Sequence, residues 1–106
     1  MYLEETMDHN LIELSTPGEV LKEEFLEPLG ITPYALAKRI FVDPPRIAAI
    51  IKGKRKITAD TAIRFSRFFG TTPEFWMNMQ TRYDLETLME EKEPELSRIV
   101  QFHAAS

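Results

Sequence analysis

The 106-residue chain has no cysteine and only two histidines, His9 and His103. The absence of thiols excludes disulfide bonds, thiolate nucleophiles and thiolate metal ligands. Two histidines far apart in sequence do not supply the three or four ligands that a zinc site normally takes. Ser/His/Asp, Cys/His and glycine-rich phosphate-binding patterns are missing as well. We therefore expect no metal, no other cofactor and no enzymatic activity.

Long hydrophobic runs are also absent. No apolar segment reaches the roughly 18 to 20 residues that cross a bilayer, and the acidic N-terminus lacks the cationic start of a signal peptide. A chain of this length is expected to form one domain with a modest core. These features predict a cytoplasmic protein.

Positive charge is scarce overall but concentrated in one segment. The net charge is −4, yet Thr32 to Gly70 contains nine basic and two acidic residues, a charge of +7, which leaves −11 for the remainder. A protein that segregates charge in this way offers one face to a polyanion, and nucleic acid is the first candidate. The simpler alternative is a solvated helical surface.

Signals for helix starts recur along the chain. Threonine or aspartate caps early backbone N–H groups, and proline fits the first helical position because its missing donor would be unpaired there. No segment alternates with period two for long enough to form a strand. The chain is therefore predicted to be all-α, with short helices at about 33–41, 44–52 and 59–69. The cap residues are Thr16, Thr32, Asp43 and Thr72, each followed by proline, and Thr58 with Asp60.

The first of these helices is predicted to start with a capping box between Thr16 and Glu19. An inward apolar stripe should follow, formed by Val20, Leu21, Phe25 and Leu29. The outer face is acidic, and it is either a solvated surface or a patch for a cationic partner; it carries Glu19, Glu23, Glu24 and Glu27.

The helices at 33–41 and 44–52 form a predicted helix-turn-helix. Only Val42 and Asp43 separate them, and the small Ala37 lets the second helix cross the first closely and steeply. The second helix of such a pair is the recognition helix. The residues expected to be buried follow a helical period: Leu36, Ala37, Ile40, Ile47, Ile50 and Ile51.

The predicted DNA contacts lie on these helices and the loop after them. Loop cations suit phosphates, which give affinity without sequence reading. Arg46 either reaches a phosphate or guanine, or pairs with Asp43 or Asp60 inside the domain. The prolines and alanines offer no donors, so specificity leans on Arg46, Arg39 or Lys38 and on DNA shape. The candidates are Lys38, Arg39, Asp43, Pro44, Pro45, Arg46, Ala48, Ala49, Lys52, Lys54, Arg55 and Lys56.

The helix at 59–69 is predicted to place Ala62, Phe65 and Phe69 in the core, with Arg64 and Arg67 directed outward toward solvent or the DNA backbone. Beyond Gly70 a longer helix carries an apolar stripe that is either internal core or a dimer interface, where aromatic residues and methionine are enriched. Its candidate interface residues are Phe75, Trp76, Met79 and Tyr83.

A last helix is predicted to open at Pro94 and to carry Leu96, Ile99 and Val100. It could extend a dimer, fold back or contact a protein partner. The resulting division is an N-terminal arm at 1–15, a DNA-binding domain with a dimerisation helix at 16–91, and a helical tail at 92–106.

Three motifs stand in order along the chain: TPGEVLKEEFLEPLG at 16–30, GKRKITADTA at 53–62 and FFGTTPEFWMNMQTRYDL at 68–85. Together they resemble the HigA-type antitoxins of bacterial toxin-antitoxin modules, a branch of the phage-repressor-like helix-turn-helix regulators. The resemblance covers about Pro17 to Leu85. It implies a five-helix DNA-binding core and a homodimer on a palindromic operator. It also implies repression of the protein's own operon and neutralisation of a small basic toxin similar to RelE-type or HigB-like mRNA endonucleases.

One departure from the family pattern stands at the turn of the helix-turn-helix, where Phe41 replaces the common glycine. Either Phe41 bears the cost of a left-handed backbone, or the turn is built differently. Two functions stay open at this point. The first is an antitoxin that combines repression with toxin inhibition, and the second is a stand-alone repressor-like regulator. The toxin-contacting surface is equally open between the first-helix glutamates and the C-terminal ones.

Overall fold

A computed structural model describes residues 15–104 of the chain. The expected N-terminal arm lies outside this range except for Ser15, and so does His9. Every regular secondary-structure element within the described range is a helix, which confirms the predicted all-α class. Helix α1 spans 17–29 as three joined segments, Pro17–Val20, Leu21–Leu26 and Glu27–Leu29. The others are α2 (Pro33–Arg39), α3 (Pro44–Ile51), α4 (Ala59–Phe69) and α5 (Pro73–Leu96).

The capping box at the start of α1 is confirmed. The hydroxyl of Thr16 accepts from the N–H of Glu19, and the Glu19 carboxylate accepts from the N–H of Thr16, both over 3.0 Å. The predicted inward stripe is wrong in part, because Leu21–Leu26 is a π-helix. Its wider turn brings residues five apart onto one face, so Leu26 is buried with Leu21 while Leu29 is 57% exposed.

Helix α1 packs against the recognition helix through Gly18. A Cβ atom at this position would overlap the carbonyl oxygen of Ile50 and lie 2.7 Å from the Cα of Ile51. Backbone atoms of α3 cannot move aside as a flexible side chain can. Gly18 therefore sets how closely α1 approaches the C-terminal end of α3.

The turn between α2 and α3 is closed by two backbone hydrogen bonds. The N–H of Val42 donates to the carbonyl of Ala37 over 3.0 Å, and that of Phe41 donates to Lys38 over 3.4 Å. This is the Schellman pattern, which requires a left-handed residue after the helix. Phe41 takes that conformation with φ 61° and is the only residue other than glycine with positive φ in 15–104. The first of the two alternatives for Phe41 is therefore confirmed.

An aromatic cluster centred on Trp76 forms the interior. Its ring centroid lies 4.9 Å from Phe25 of α1 and 4.9 Å from Phe65 of α4, with Phe69 at 5.9 Å. Trp76 is fully buried, and its indole N–H donates to the hydroxyl of Thr71 over 2.7 Å. Such aromatic contacts add to the apolar area that the rings remove from water. The cluster fixes α4 and α5 against α1, and the predicted buried faces of α2, α3 and α4 complete the core.

The predicted helix starting at Pro94 is wrong. Pro94 lies inside α5, which continues to Leu96, and residues 99–104 are not helical. Proline after a polar residue predicts a helix start, but Pro94 stands two residues before the end of α5, where the hydrogen bonds of the preceding turns already hold the helix. Every residue from 85 to 104 is exposed.

None of the helices between 15 and 104 has the length and hydropathy needed to cross a membrane.

Candidate nucleic-acid interface

Helix α3 presents the predicted recognition surface. Ile47 and Ile50 are buried beneath it, and the residues on its other faces are half-buried or exposed. Asp43 is the N-cap residue, but its side chain makes no capping hydrogen bond. Pro44 and Pro45 occupy the first helical positions, where a missing N–H costs nothing. The outward face thus combines short apolar side chains with one cation near the helix start: Pro44, Pro45, Arg46, Ala48 and Ala49.

Arg46 adopts the internal pairing that the sequence left open, with Asp60 as its partner. Its Nη1 lies 2.9 Å from Oδ2 of Asp60 and 3.4 Å from the hydroxyl of Thr61. The expected cap from Thr58 and Asp60 is wrong, since Thr58 makes no capping hydrogen bond and Asp60 is engaged by arginine side chains. Charge-assisted bonds to two guanidinium groups are stronger than one bond to a backbone N–H.

Arg64 was expected to point away from the domain, and this prediction is wrong. Its Nε lies 2.9 Å from Oδ2 of Asp60, and its Nη1 donates to the carbonyl of Ile40 over 2.8 Å and to that of Phe41 over 3.4 Å. The arginine is long enough to reach from α4 to the end of α2. It supplies the last carbonyls of α2 with the positive charge that a helix C-terminus favours.

The same contacts shift the titration of Asp60. Hydrogen bonds from Arg64 and then from Arg46 hold the pKa of this carboxyl below its ordinary value, although partial burial opposes them. Each guanidinium favours the charged carboxylate. Asp60 is ionised at neutral pH, as an ordinary aspartate is, and its lowered pKa keeps it ionised in more acidic solution as well.

The loop after α3 carries the predicted phosphate-binding cations. Gly53 takes φ 76° and ends α3, so that the chain turns away from the helix axis. The four cations of this loop are all exposed: Lys52, Lys54, Arg55 and Lys56. Lys56 also lies 3.2 Å from Asp84 of α5 and is 72% exposed at its side chain. Pairs this exposed are weak, so Lys56 stays available to a phosphate.

A buried contact anchors the end of this loop. The N–H of Ile57 donates to Oε1 of Gln80 over 2.8 Å, and Nε2 of Gln80 donates to Asp84 over 3.0 Å. The Ile57 side chain is itself buried. Gln80 therefore satisfies a backbone donor that would otherwise be orphaned, and it ties the cationic loop to α5.

The remaining candidates lie at the end of α2. Lys38 and Arg39 are both exposed in its last turn. The ammonium of Lys38 lies 5.8 Å above the ring of Tyr34, within the range of a cation–π contact. The two cations stand immediately before the turn that leads into α3, so the structure keeps them beside the recognition helix.

Reasoning from the sequence alone missed three residues of this site: Gly18, Arg64 as a brace, and Gln80. Each acts on a residue more than twenty positions away, and no local spacing signals such a contact. A weak sign existed for Gln80, which follows the stripe residue Trp76 by four positions and so lies on the same face of α5. The dimer prediction also needs a correction, because Trp76 is 0% exposed and offers no surface to a partner. Phe75 remains 41% exposed, and Met79 and Tyr83 are partly exposed.

Comparison with known proteins gives the lineage of this arrangement. Residues 22–76 match the family described as helix-turn-helix. The solved structure of the Pseudomonas aeruginosa antitoxin HigA with the higBA promoter is 38% identical, has a TM-score of 0.79, and is matched over 82% of this chain and 95% of its own. The chain belongs to the helix-turn-helix family, in its HigA-type antitoxin branch. The resemblance carried by the three sequence motifs is thereby confirmed.

Two further relatives agree with this placement. Virulence-associated protein I of Dichelobacter nodosus is 49% identical over 77 residues, which cover 73% of this chain and 71% of that protein. The structure of Pseudomonas aeruginosa PA4674 in complex with its 18-bp operator DNA is 37% identical with a TM-score of 0.80, and the match covers 86% of this chain and 96% of PA4674. Membership of a family of DNA-binding regulators and antitoxins also confirms the expectation that the chain is not an enzyme.

Proposed function

We propose that this HigA-type protein binds the operator of its own toxin-antitoxin operon as a homodimer, represses that operon, and neutralises a small basic toxin similar to the RelE-type or HigB-like mRNA endonucleases. In this proposal 16–91 is the DNA-binding and dimerising unit, and 92–106 extends it. The observation that supports operator binding is the outward surface formed by α3 and the cationic loop after it. The contacts of Asp60 with Arg46 and Arg64 hold this surface in place.

The charges of this surface support DNA binding. A cation that neutralises a phosphate releases a condensed counterion, so the affinity falls as salt rises. The loop cations are exposed, and the backbone beneath them is held at one end by a hydrogen bond from the N–H of Lys54 to the carbonyl of Ala49 and at the other by the buried Ile57. Relatives of the same fold, HigA and PA4674, have been solved with promoter and operator DNA.

A seam along α5 supports dimerisation. Its residues recur every seven positions on the side of the helix opposite Trp76 and Gln80, and all of them are exposed: Phe75, Arg82, Met89 and Leu96, with Asn78, Leu85 and Lys92 between them. Two helices pack along their length when such a seven-residue repeat is mainly apolar. Four of these seven residues are apolar: Phe75, Leu85, Met89 and Leu96. A groove of about 580 Å³ runs beside the first half of the seam and is lined in part by Phe75, Met79, Tyr83 and Leu85.

The second half of α5 strengthens this argument. Residues 85–96 are exposed on every side of the helix, and an isolated helix of about twelve residues is marginal in water. A second copy packed along the seam would bury the exposed leucines and Met89. Replacing Leu85 and Met89 together by glutamate should convert a dimer to a monomer in analytical ultracentrifugation. Leu29→Glu, at a leucine of similar exposure on α1, is the matched control and should leave the mass unchanged.

The toxin half of the proposal follows from family membership and from charge. Acidic side chains cover the outer face of α1 and the second half of α5, and both surfaces suit a cationic protein. The deciding experiment is co-expression with the small basic protein encoded beside this gene. Rescue of growth and a co-purifying complex are expected. Failure of both would reject the antitoxin function and leave DNA binding untouched, which is the outcome expected of a stand-alone regulator.

A further inference from the structure

Asp60 joins three parts of the helix-turn-helix through one carboxylate oxygen. Oδ2 accepts from Arg46 on α3 and from Arg64 on α4, each over 2.9 Å. Arg64 continues to the turn after α2 and donates to the carbonyl of Ile40. The start of the recognition helix is thereby tied to the turn that precedes it and to the helix that follows it.

The side chains of this ion-pair network are partly exposed, which indicates that they orient one another more than they stabilise the fold. The side chains of Asp60, Arg46 and Arg64 are 56%, 26% and 37% exposed. Ion pairs in such surroundings contribute little to folding, since water screens them and side-chain entropy opposes them. Two arginines on one oxygen nevertheless restrict each other. The guanidinium of Arg46 is held in one orientation instead of sampling the rotamers of a free arginine.

The held orientation leaves part of Arg46 available. A guanidinium has five N–H donors, and both contacts of Arg46 to described residues use Nη1. The Nε and Nη2 donors form the other edge of the fork. Arg46 is the third residue of α3, and the first residues of a recognition helix are those that reach base edges.

We propose that Asp60 is a positioning residue for sequence-specific DNA binding, which fixes the Arg46 guanidinium so that its open edge meets an acceptor pair of the operator. The proposal rests on the DNA binding proposed above. The proposal also predicts the direction in which the DNA affinity changes when Asp60 is removed. An anionic side chain beside a DNA-facing helix would by itself weaken binding through repulsion from phosphates, so its removal should tighten binding to every sequence. A positioning role predicts the opposite for the operator.

The test measures the dissociation constants of wild-type protein and Asp60→Asn for two duplexes by fluorescence anisotropy at one salt concentration. One duplex carries the promoter region of the protein's own gene, and the other is its scrambled sequence. The ratio of scrambled to promoter constants should fall about tenfold in Asp60→Asn, with the scrambled affinity unchanged or tighter. Equal tightening on both duplexes would overturn the proposal. Equal binding of both duplexes by wild-type protein would instead reject the proposed operator binding itself.

A second arm asks whether Asp60 acts through Arg46. In an Arg46→Ala background, Asp60→Asn should leave the ratio unchanged, because the group that it positions is gone. If the ratio of the two constants falls again by a similar factor in this background, Asp60 acts through the fold and not through Arg46, which would overturn the proposal. Asp60→Glu can still reach both arginines and should restore part of the ratio. Glu74→Gln removes an equal charge at the start of α5 and is the matched control.

Arg46→Lys keeps the test decisive if Asp60→Asn does not fold. Lysine retains the positive charge but has no second edge to present beyond its contact with Asp60. The promoter preference should fall as it does in Asp60→Asn, while the scrambled affinity stays the same. An unchanged preference in Arg46→Lys would overturn the proposal.

Discussion

The backbone N–H of Ile57 donates to the side-chain amide of Gln80 over 2.8 Å, and this buried contact fastens the cationic loop to α5. Gln80 is 7% exposed, so water cannot replace it as an acceptor. The geometry of this loop, which we propose binds phosphates, therefore depends on a residue of the helix that we propose for dimerisation. The position of α5 and the DNA contacts proposed for the loop are thus linked through Gln80.

The first prediction concerns this contact. Gln80→Leu keeps a side chain of similar size but leaves the Ile57 donor unpaired, which should cost about 1 to 3 kcal/mol of unfolding free energy. Thr87→Leu, at an exposed position of the same helix outside the seam, should change stability by less than about 0.5 kcal/mol. Urea denaturation followed by circular dichroism measures both. Equal effects of the two substitutions would contradict the assigned role.

The second prediction concerns the approach of α1 to α3. Gly18→Ala places a methyl group on the backbone of Ile50 and Ile51, and overpacking of this kind costs about 1 to 3 kcal/mol or more. Gly53→Ala is a useful comparison, because Gly53 has positive φ but open space around it, and its cost should come from backbone strain alone. Thermal melting should place Gly18→Ala below Gly53→Ala. A Gly18→Ala protein as stable as wild type would disprove the close contact.

The third prediction concerns Phe41, which is 86% exposed at the turn. Its left-handed backbone costs about 1 to 2 kcal/mol, and glycine would relieve that cost while losing about 0.5 to 1 kcal/mol through its freer unfolded state. Phe41→Gly should therefore leave stability unchanged or raise it by up to about 1.5 kcal/mol. Phe65→Ala, which removes a buried ring, should lose about 3 to 5 kcal/mol. A loss of more than about 1 kcal/mol in Phe41→Gly would mean that the exposed ring makes stabilising contacts.

The sequence predicted the fold well where signals are local. The cap-and-proline pairs located the starts of four helices, and Thr58 marked the start of α4 without making the cap. The turn could be identified because only Val42 and Asp43 stand between two apolar stripes. The π-helix in α1 was not predictable from periodicity, since a single widened turn shifts the stripe from Leu29 to Leu26 without changing composition.

The exposed cations of the site could be predicted from the sequence, but its hydrogen bonds between distant residues could not. Lys52, Lys54, Arg55 and Lys56 are exposed as expected. Arg64 was misplaced because an arginine on the open side of an isolated helix looks solvated, and only the folded chain brings Ile40 within its reach. The helix start predicted at Pro94 is wrong for the opposite reason. Proline is a strong local signal for a helix start, but here α5 continues through it to Leu96.

The fourth prediction concerns pH. The pKa of Asp60 is lowered in the folded protein, mainly by Arg64 and then by Arg46, so its contribution to stability is present above the unfolded-state value of about 4 and is lost as pH falls through the lower folded value. Because these ion pairs are exposed, melting curves of wild type and Asp60→Asn should differ only slightly at pH 7 and should converge toward pH 3. Glu74→Gln provides the charge-matched control. A difference that persists undiminished at pH 3 would show that the carboxylate charge is not what holds the arginines.

The central claim, that the loop after α3 grips DNA phosphates, is tested most directly by the salt dependence of binding. The slope of log affinity against log salt should shrink by about 0.9 for each phosphate contact that is lost. Replacing Lys52, Lys54 and Lys56 by alanine should therefore flatten the slope by up to about 2.7 for each bound protomer, or about 5.4 for the dimer, on promoter and scrambled duplexes alike. The control replaces Lys22 and Arg98 by alanine, which removes two positive charges away from both the loop and the α5 seam, and it should keep the wild-type slope. Equal slopes for wild type and the loop variant would contradict the account.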